Sequence, residues 1–222
     1  MLDIASFDDL KARQRAIRDG FPSTMALRVH RAISWIGRAE ASLGDNDARF
    51  IFLWIALNAS YADEEELALP ERRERDRLST FFDRVCALDA EKRIYKAVWT
   101  RFSGPVRVLM ENNYLFGPFW QHHNGVEGNA DWPDRFAASA RVFASAFKSG
   151  DTPKVLDCVF GRLYMLRNQL VHGGATWNSG VNRAQVRDGA EILATLMPIF
   201  VEIMMDHPEA DWGRPFYPVV EG

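Results

Sequence analysis

TPKVLDCVFGRLYMLRNQLVHGG, Thr152 to Gly174, reads as one helix with both ends marked. Thr152 suits the N-cap, Pro153 the first helical position, and the Gly173-Gly174 pair the stop. Between them Leu156, Val159, Phe160, Leu163, Leu166 and Leu170 recur at the three- and four-residue spacing of an apolar stripe. At 100° per residue Arg167 lies about 20° from Leu156, so a charge stands on the burying side. Asn168 and His172 are one turn apart, and Tyr164 continues their row along the flank. An arginine stem can lie on apolar surface with its head in water, and a histidine suits a helix C-terminus because of the macrodipole; these plain readings stand beside any chemical one.

The same periodicity extends outward from this helix, and no alternating strand of useful length appears, so the fold class is all-α. Helices are expected over Met25 to Ser42, from a cap at Asp45 or Asp47 to about Tyr61, over Arg72 to Cys86, Asp89 to Phe102, Asp134 to Lys148, Pro153 to His172 and roughly Asn182 to Asp206. The N-terminus suits a short amphipathic helix. Pro198 is expected to kink the last helix. FIFLWIALNASYA, from Phe50, is apolar nearly all round and should be buried, with Trp54, Asn58 and Tyr61 on one face. An unpaired amide there would be costly, so Asn58 is expected to have a defined partner. Glu71 and Arg75 suit a pair on a solvated helix start. Residues 103–134, rich in Gly, Asn, Pro and aromatics, read as an irregular insertion with a helical turn or two. Without a repeat or clean linker, the chain reads as a single domain, 1–222, with a core at about 25–206 and a docked or frayed tail at 207–222.

At 222 residues and 47% apolar content the chain can bury a sizeable core. Its greasy runs fall well short of the ~20 residues that span a bilayer, and the N-terminus lacks the pattern of a signal peptide. Cys86 and Cys158 sit among apolar neighbours with no CxxC spacing, as buried thiols of a reducing cytoplasmic compartment would. The net charge of −3 argues against broad adhesion to nucleic acid. Its distribution is uneven: Lys154, Arg162, Arg167, Arg183 and Arg187 face only Asp157 in their window, a local charge of +4 that leaves −7 for the remainder.

Other constellations are weaker. His122, His123, Glu127 and Asp131 could bind a metal in principle, but their spacing matches no strong zinc pattern, and loop polarity accounts for them; no metal and no cofactor are expected. GGATWNSG follows a helix and lacks the lysine of a phosphate loop. Cys158 and His172 would be about 21 Å apart along one continuous helix, too far to pair.

Arg167, Asn168 and His172, followed by Gly173 near the end of a late helix, resemble the signature of the HEPN superfamily, and FIFLWIALNASYA is similar to the early buried helix of its Apea-like branch. The resemblance implies a helical bundle that often forms a homodimer with its two motifs facing each other. It implies a metal-independent endoribonuclease, such as a toxin or defence effector held by an antitoxin or regulatory protein; the alternative is a noncatalytic module that dimerises or binds RNA or nucleotide. In the first case His172 would serve as general base or acid, Arg167 would stabilise charge on the phosphorane and Asn168 would orient phosphate or imidazole. Tyr164 and Asn58 would be supporting neighbours, and Arg162 and Arg183 would hold substrate phosphate.

Overall fold

Asp45 accepts the amide of Ala48 at 3.0 Å and so caps a helix whose first turn enters the interior at Asp47 and Phe50. The computed structural model describes residues 2–62, 70–180 and 182–219, apart from the side chains of 70–74. Among them the chain is all-α and no strand forms. In order, the helices are α1 (Phe7–Ile17), α2 (Ser23–Glu40), α3 (Asn46–Tyr61), α4 (Pro70–Leu88), α5 (Arg93–Lys96), α6 (Ser103–Glu111), α7 (Gly117–His123), α8 (Trp132–Ser149), α9 (Thr152–Val171) and α10 (Arg183–Asp206). The expected Glu71–Arg75 pair lies outside the described residues.

The centre is α10, buried on nearly every side from Ile192 to Met205. It packs against α2, α3, α4 and α9, and it continues across the buried Pro198. Gly189 allows the close approach of its neighbours. A Cβ there would stand 2.9 Å from a ring carbon of Phe50 on α3 and 3.0 Å from a methyl of Leu163 on α9.

Three boundaries differ from the sequence reading. Asp151, not Thr152, caps α9: its carboxylate accepts the Lys154 amide at 3.1 Å, and Thr152 becomes the first helical residue. The single helix expected from Asp89 to Phe102 is short α5 followed by a π-helical turn, Ala97–Arg101, after a left-handed Lys92. The insertion is mostly helical: α6, a 3-10 turn at Asn113–Leu115 and α7 occupy it, and Val106, Leu109, Met110 and Leu115 join the core. Their helical spacing was obscured by Gly104, Pro105 and the Asn pair.

The tail docks. Trp212 is buried, and the guanidinium of Arg28, fully buried on α2, donates to the carbonyls of Ala62 and Arg214, both at 2.8 Å. Arg28 thereby satisfies the C-terminal end of α3 and the returning chain together.

Candidate functional site

Helix α9 ends as its sequence suggests. Gly173 adopts a left-handed φ of 70°, the Gly174 amide donates to the Gln169 carbonyl at 2.7 Å, and the Gly173 amide reaches the Leu170 carbonyl at 3.4 Å. These crossed bonds form a Schellman stop, in which glycine takes the left-handed position without steric penalty. The turn leaves His172 at the C-cap, with its ring exposed to solvent.

Arg167, Asn168 and Tyr164 come together on this last stretch. The Arg167 guanidinium donates to Asn168 Oδ1 at 2.9 Å and lies 5.6 Å from the centre of the Tyr164 ring. The ring in turn packs 6.1 Å from Trp54 on α3. Arg167 therefore bends back over its own helix instead of burying its charge. It meets no carboxylate among the described residues.

The other arginines of the basic island, among them Arg162 and Arg183, which the resemblance offered as phosphate ligands, already have partners within the chain. Arg162 is only 4% exposed. Its guanidinium donates to Ser139 Oγ at 2.9 Å and lies against the edge-to-face pair of Phe116 and Phe136, 4.7 and 5.0 Å from their ring centres. Burial lowers its pKa to about 10. Five residues from Arg167 along the same helix, it turns into the protein because α8 and the insertion cover that face.

Arg183 makes a two-pronged bond to Asp47, at 2.8 and 2.6 Å, and reaches Asn178 Oδ1 at 3.1 Å. Arg187 meets Asp188 at 2.9 Å, and Lys154 meets Asp157 at 3.8 Å. Two of these acids, Asp47 and Asp188, lie outside the sequence window in which the bases were counted. These two acids halve the local excess, from +4 to +2.

The loop from α9 to α10 is tied to the start of α3. Trp177 donates its indole N–H to Asp45 at 2.9 Å, and the Asn178 amide donates to Asp47 at 3.1 Å. Asp45 and Asp47 read as cap residues in the sequence, and their second role needed a contact more than 130 residues away. Gln169, which sequence reasoning passed over, links both flanks: it donates to the Tyr114 carbonyl at 2.7 Å and accepts from Asn182 at 2.9 Å.

Asn58 departs from expectation. Among the described residues its Oδ1 is enclosed without a hydrogen-bond donor, and the indole N–H of Trp54, one turn earlier, is likewise enclosed without an acceptor. Asn58 lines a groove of about 520 Å³ with Arg31, Trp35 and the tail residues Phe216 and Tyr217. It is Trp54 that reaches α9.

The histidines of the insertion are separately occupied. The His123 ring stacks 4.0 Å from that of Phe119 and its Nδ1 lies 2.8 Å from the Phe119 carbonyl, while Asp131 faces Arg135 at 3.8 Å. Cys86 and Cys158 are half-buried, with burial pushing the Cys86 thiol up to about 12 and raising that of Cys158. No helix among the described residues is long and apolar enough to cross a membrane. No family model, curated protein or solved structure matches this chain.

Proposed function

We propose that the protein is a metal-independent endoribonuclease of the HEPN type, acting at the open end of α9. The observation that carries this reading is the arrangement of Arg167: a guanidinium held against Asn168 and Tyr164, free of any carboxylate among the described residues, five residues before the exposed His172 at the C-cap. An anion arriving there displaces no ion pair. A guanidinium presents several N–H groups in one plane, suited to two oxygens of a phosphate.

In the reaction, His172 takes the proton of a ribose 2′-OH as its oxygen attacks the adjacent phosphorus. The O2′–P bond forms and the P–O5′ bond breaks, leaving a 2′,3′-cyclic phosphate and a 5′-hydroxyl once the leaving oxygen is protonated. Arg167 stabilises the added negative charge on the phosphorane. One chain offers one such histidine, so a homodimer would supply base and acid separately. Exposed Val171 and Trp177 beside the site, 55% and 73% accessible, favour a partner copy there.

The test is cleavage of single-stranded RNA in chelator by the wild-type chain and by His172→Ala. Turnover by the first and none by the second, with unchanged melting, supports the reading. A wild-type chain inert on varied RNAs, with and without added metal, rejects it. The second reading, a noncatalytic module that dimerises or binds RNA, draws on the same exposed pair and on the pairing of the island's other bases. Its mark would be a stable dimer, or RNA binding without cleavage.

A further inference from the structure

We propose that Tyr114 forms a base-stacking subsite beside the candidate centre, so that an RNA strand whose phosphate meets Arg167 lays an unpaired base on this ring. The inference rests on the reading of α9 as an RNA site and adds the feature of the substrate that the insertion would recognise.

Helical geometry carries the first step. Taking Arg167 as zero and 100° per residue, Asn168 falls near 100°, His172 near 140°, Met165 near 160° and Gln169 near 200°. The insertion borders the far end of that arc. A Cβ on Gly117 would lie 3.5 Å from Met165 Sδ, and the Gln169 side chain donates to the Tyr114 carbonyl at 2.7 Å. By helix angle His172 thus falls between Arg167 and the face bordered by the insertion, where the Tyr114 carbonyl meets Gln169.

The second step is the state of that ring. Tyr114 is 51% exposed, although its backbone is tied at three points. Its amide donates to Asn112 Oδ1 at 2.9 Å, and its carbonyl accepts both Gln169 and the indole N–H of Trp120, each at 2.7 Å. The ring is braced edge-on by Phe119 at 5.3 Å and flanked by Trp120 at 6.2 Å. A large aromatic surface held this firmly and left half open loses little conformational freedom when a flat partner arrives. A nucleobase is such a partner: every base has a π-face, and an unpaired one is free to turn onto a ring.

Binding is measured in a His172→Ala background, to prevent cleavage, with short single-stranded RNAs that carry one abasic site walked along the strand. Tyr114→Leu keeps apolar bulk but removes the π-face, and Tyr114→Trp restores it. The expected result is roughly 10-fold weaker binding by Tyr114→Leu, recovery by Tyr114→Trp, and disappearance of the leucine deficit when the abasic site occupies one particular position. Wild-type affinity in Tyr114→Leu, alongside weakened binding by Arg167→Ala, overturns the subsite and leaves the RNA site standing. A deficit that persists at every abasic position, or a changed sedimentation coefficient in Tyr114→Leu, also overturns it and assigns the ring to packing or to a subunit interface. Failure of the parent chain to bind any of these RNAs removes the α9 reading and the subsite with it.

Discussion

Arg162 and Arg167 stand five residues apart on one helix and are held in opposite ways. Arg162 is buried against two phenyl rings, with its charge answered by a serine hydroxyl and the rings. Arg167 turns outward over Tyr164 and is held by its own neighbour, Asn168. The residue type is the same; the cover differs. Where α8 and the insertion close over one face of α9, an arginine becomes part of the packing; Arg167 stands about 140° around the helix from Arg162, outside that cover.

The strongest break of this comparison is chemical. His172→Ala should reduce RNA cleavage by about 1,000-fold, within the usual range for loss of a general acid or base. Its midpoint in urea should remain that of the wild type, because the ring is exposed. Arg167→Lys should fall nearly as far, since lysine keeps charge and stem but lacks the planar fork. Initial rates on a fluorogenic RNA, read beside urea titrations, separate chemistry from folding; a matched loss of stability in either variant would put both residues in Arg162's class.

Next comes stability on the covered half. Arg162→Ala should cost about 2–4 kcal/mol, as truncations that leave a cavity do. Arg162→Met, which refills the space beside Phe116 and Phe136 without a buried charge, should cost less than about 1 kcal/mol. Folded Arg162 variants should cleave RNA at the wild-type rate. A selective loss of activity in Arg162→Met would show that the two arginines are coupled through α9.

A smaller effect is expected where α9, α3 and α10 meet. Gly189→Ala brings a Cβ to 2.9 Å from Phe50 and 3.0 Å from Leu163, and overpacking of this kind typically costs about 1–3 kcal/mol. The better helix propensity of alanine returns up to about 1 kcal/mol. A net loss of about 1 kcal/mol by urea unfolding is expected, with little change in turnover. A stabilised variant would mean that the three helices have room to separate.

Much of this architecture was legible because helix signals are local. The Asp45 cap, the greasy α3 and the double glycine after His172 each act within a few residues of chain, and each appears where the sequence suggested. The insertion was less legible. Gly104, Pro105 and the Asn pair resemble punctuation, although Val106, Leu109 and Met110 carry helical spacing between them. At the candidate site the nearness of Arg167 to Asn168 and Tyr164 could be read from one helix; the His172 side chain makes no hydrogen bond to them. What escaped was whatever depends on cover from distant segments: the burial of Arg162, the bond from Gln169 to the Tyr114 carbonyl, and the halving of the basic island's excess by Asp47 and Asp188. The enclosed Oδ1 of Asn58, without a donor among the described residues, was equally invisible, because helical spacing identifies a face without naming what meets it.

The smallest effect is expected at Arg183. Its guanidinium faces Asp47 through two parallel bonds of 2.8 and 2.6 Å, with 30% of the arginine side chain and 11% of the aspartate accessible. A cation so matched contributes little field beyond the pair, because its partner's charge lies within a hydrogen-bond length. Arg183→Gln combined with Asp47→Asn removes one charge of each sign and leaves side chains able to keep a neutral bond. RNA affinity of the double variant in the His172→Ala background should therefore stay within about 2-fold of its parent, with the same dependence on salt, because no phosphate contact is lost. Arg167→Gln in that background should instead weaken binding and lower the salt slope by about one contact. Were the double variant to lose the slope and Arg167→Gln to keep it, Arg183 would be leaving Asp47 to hold the strand, and the more firmly paired arginine would be the functional one.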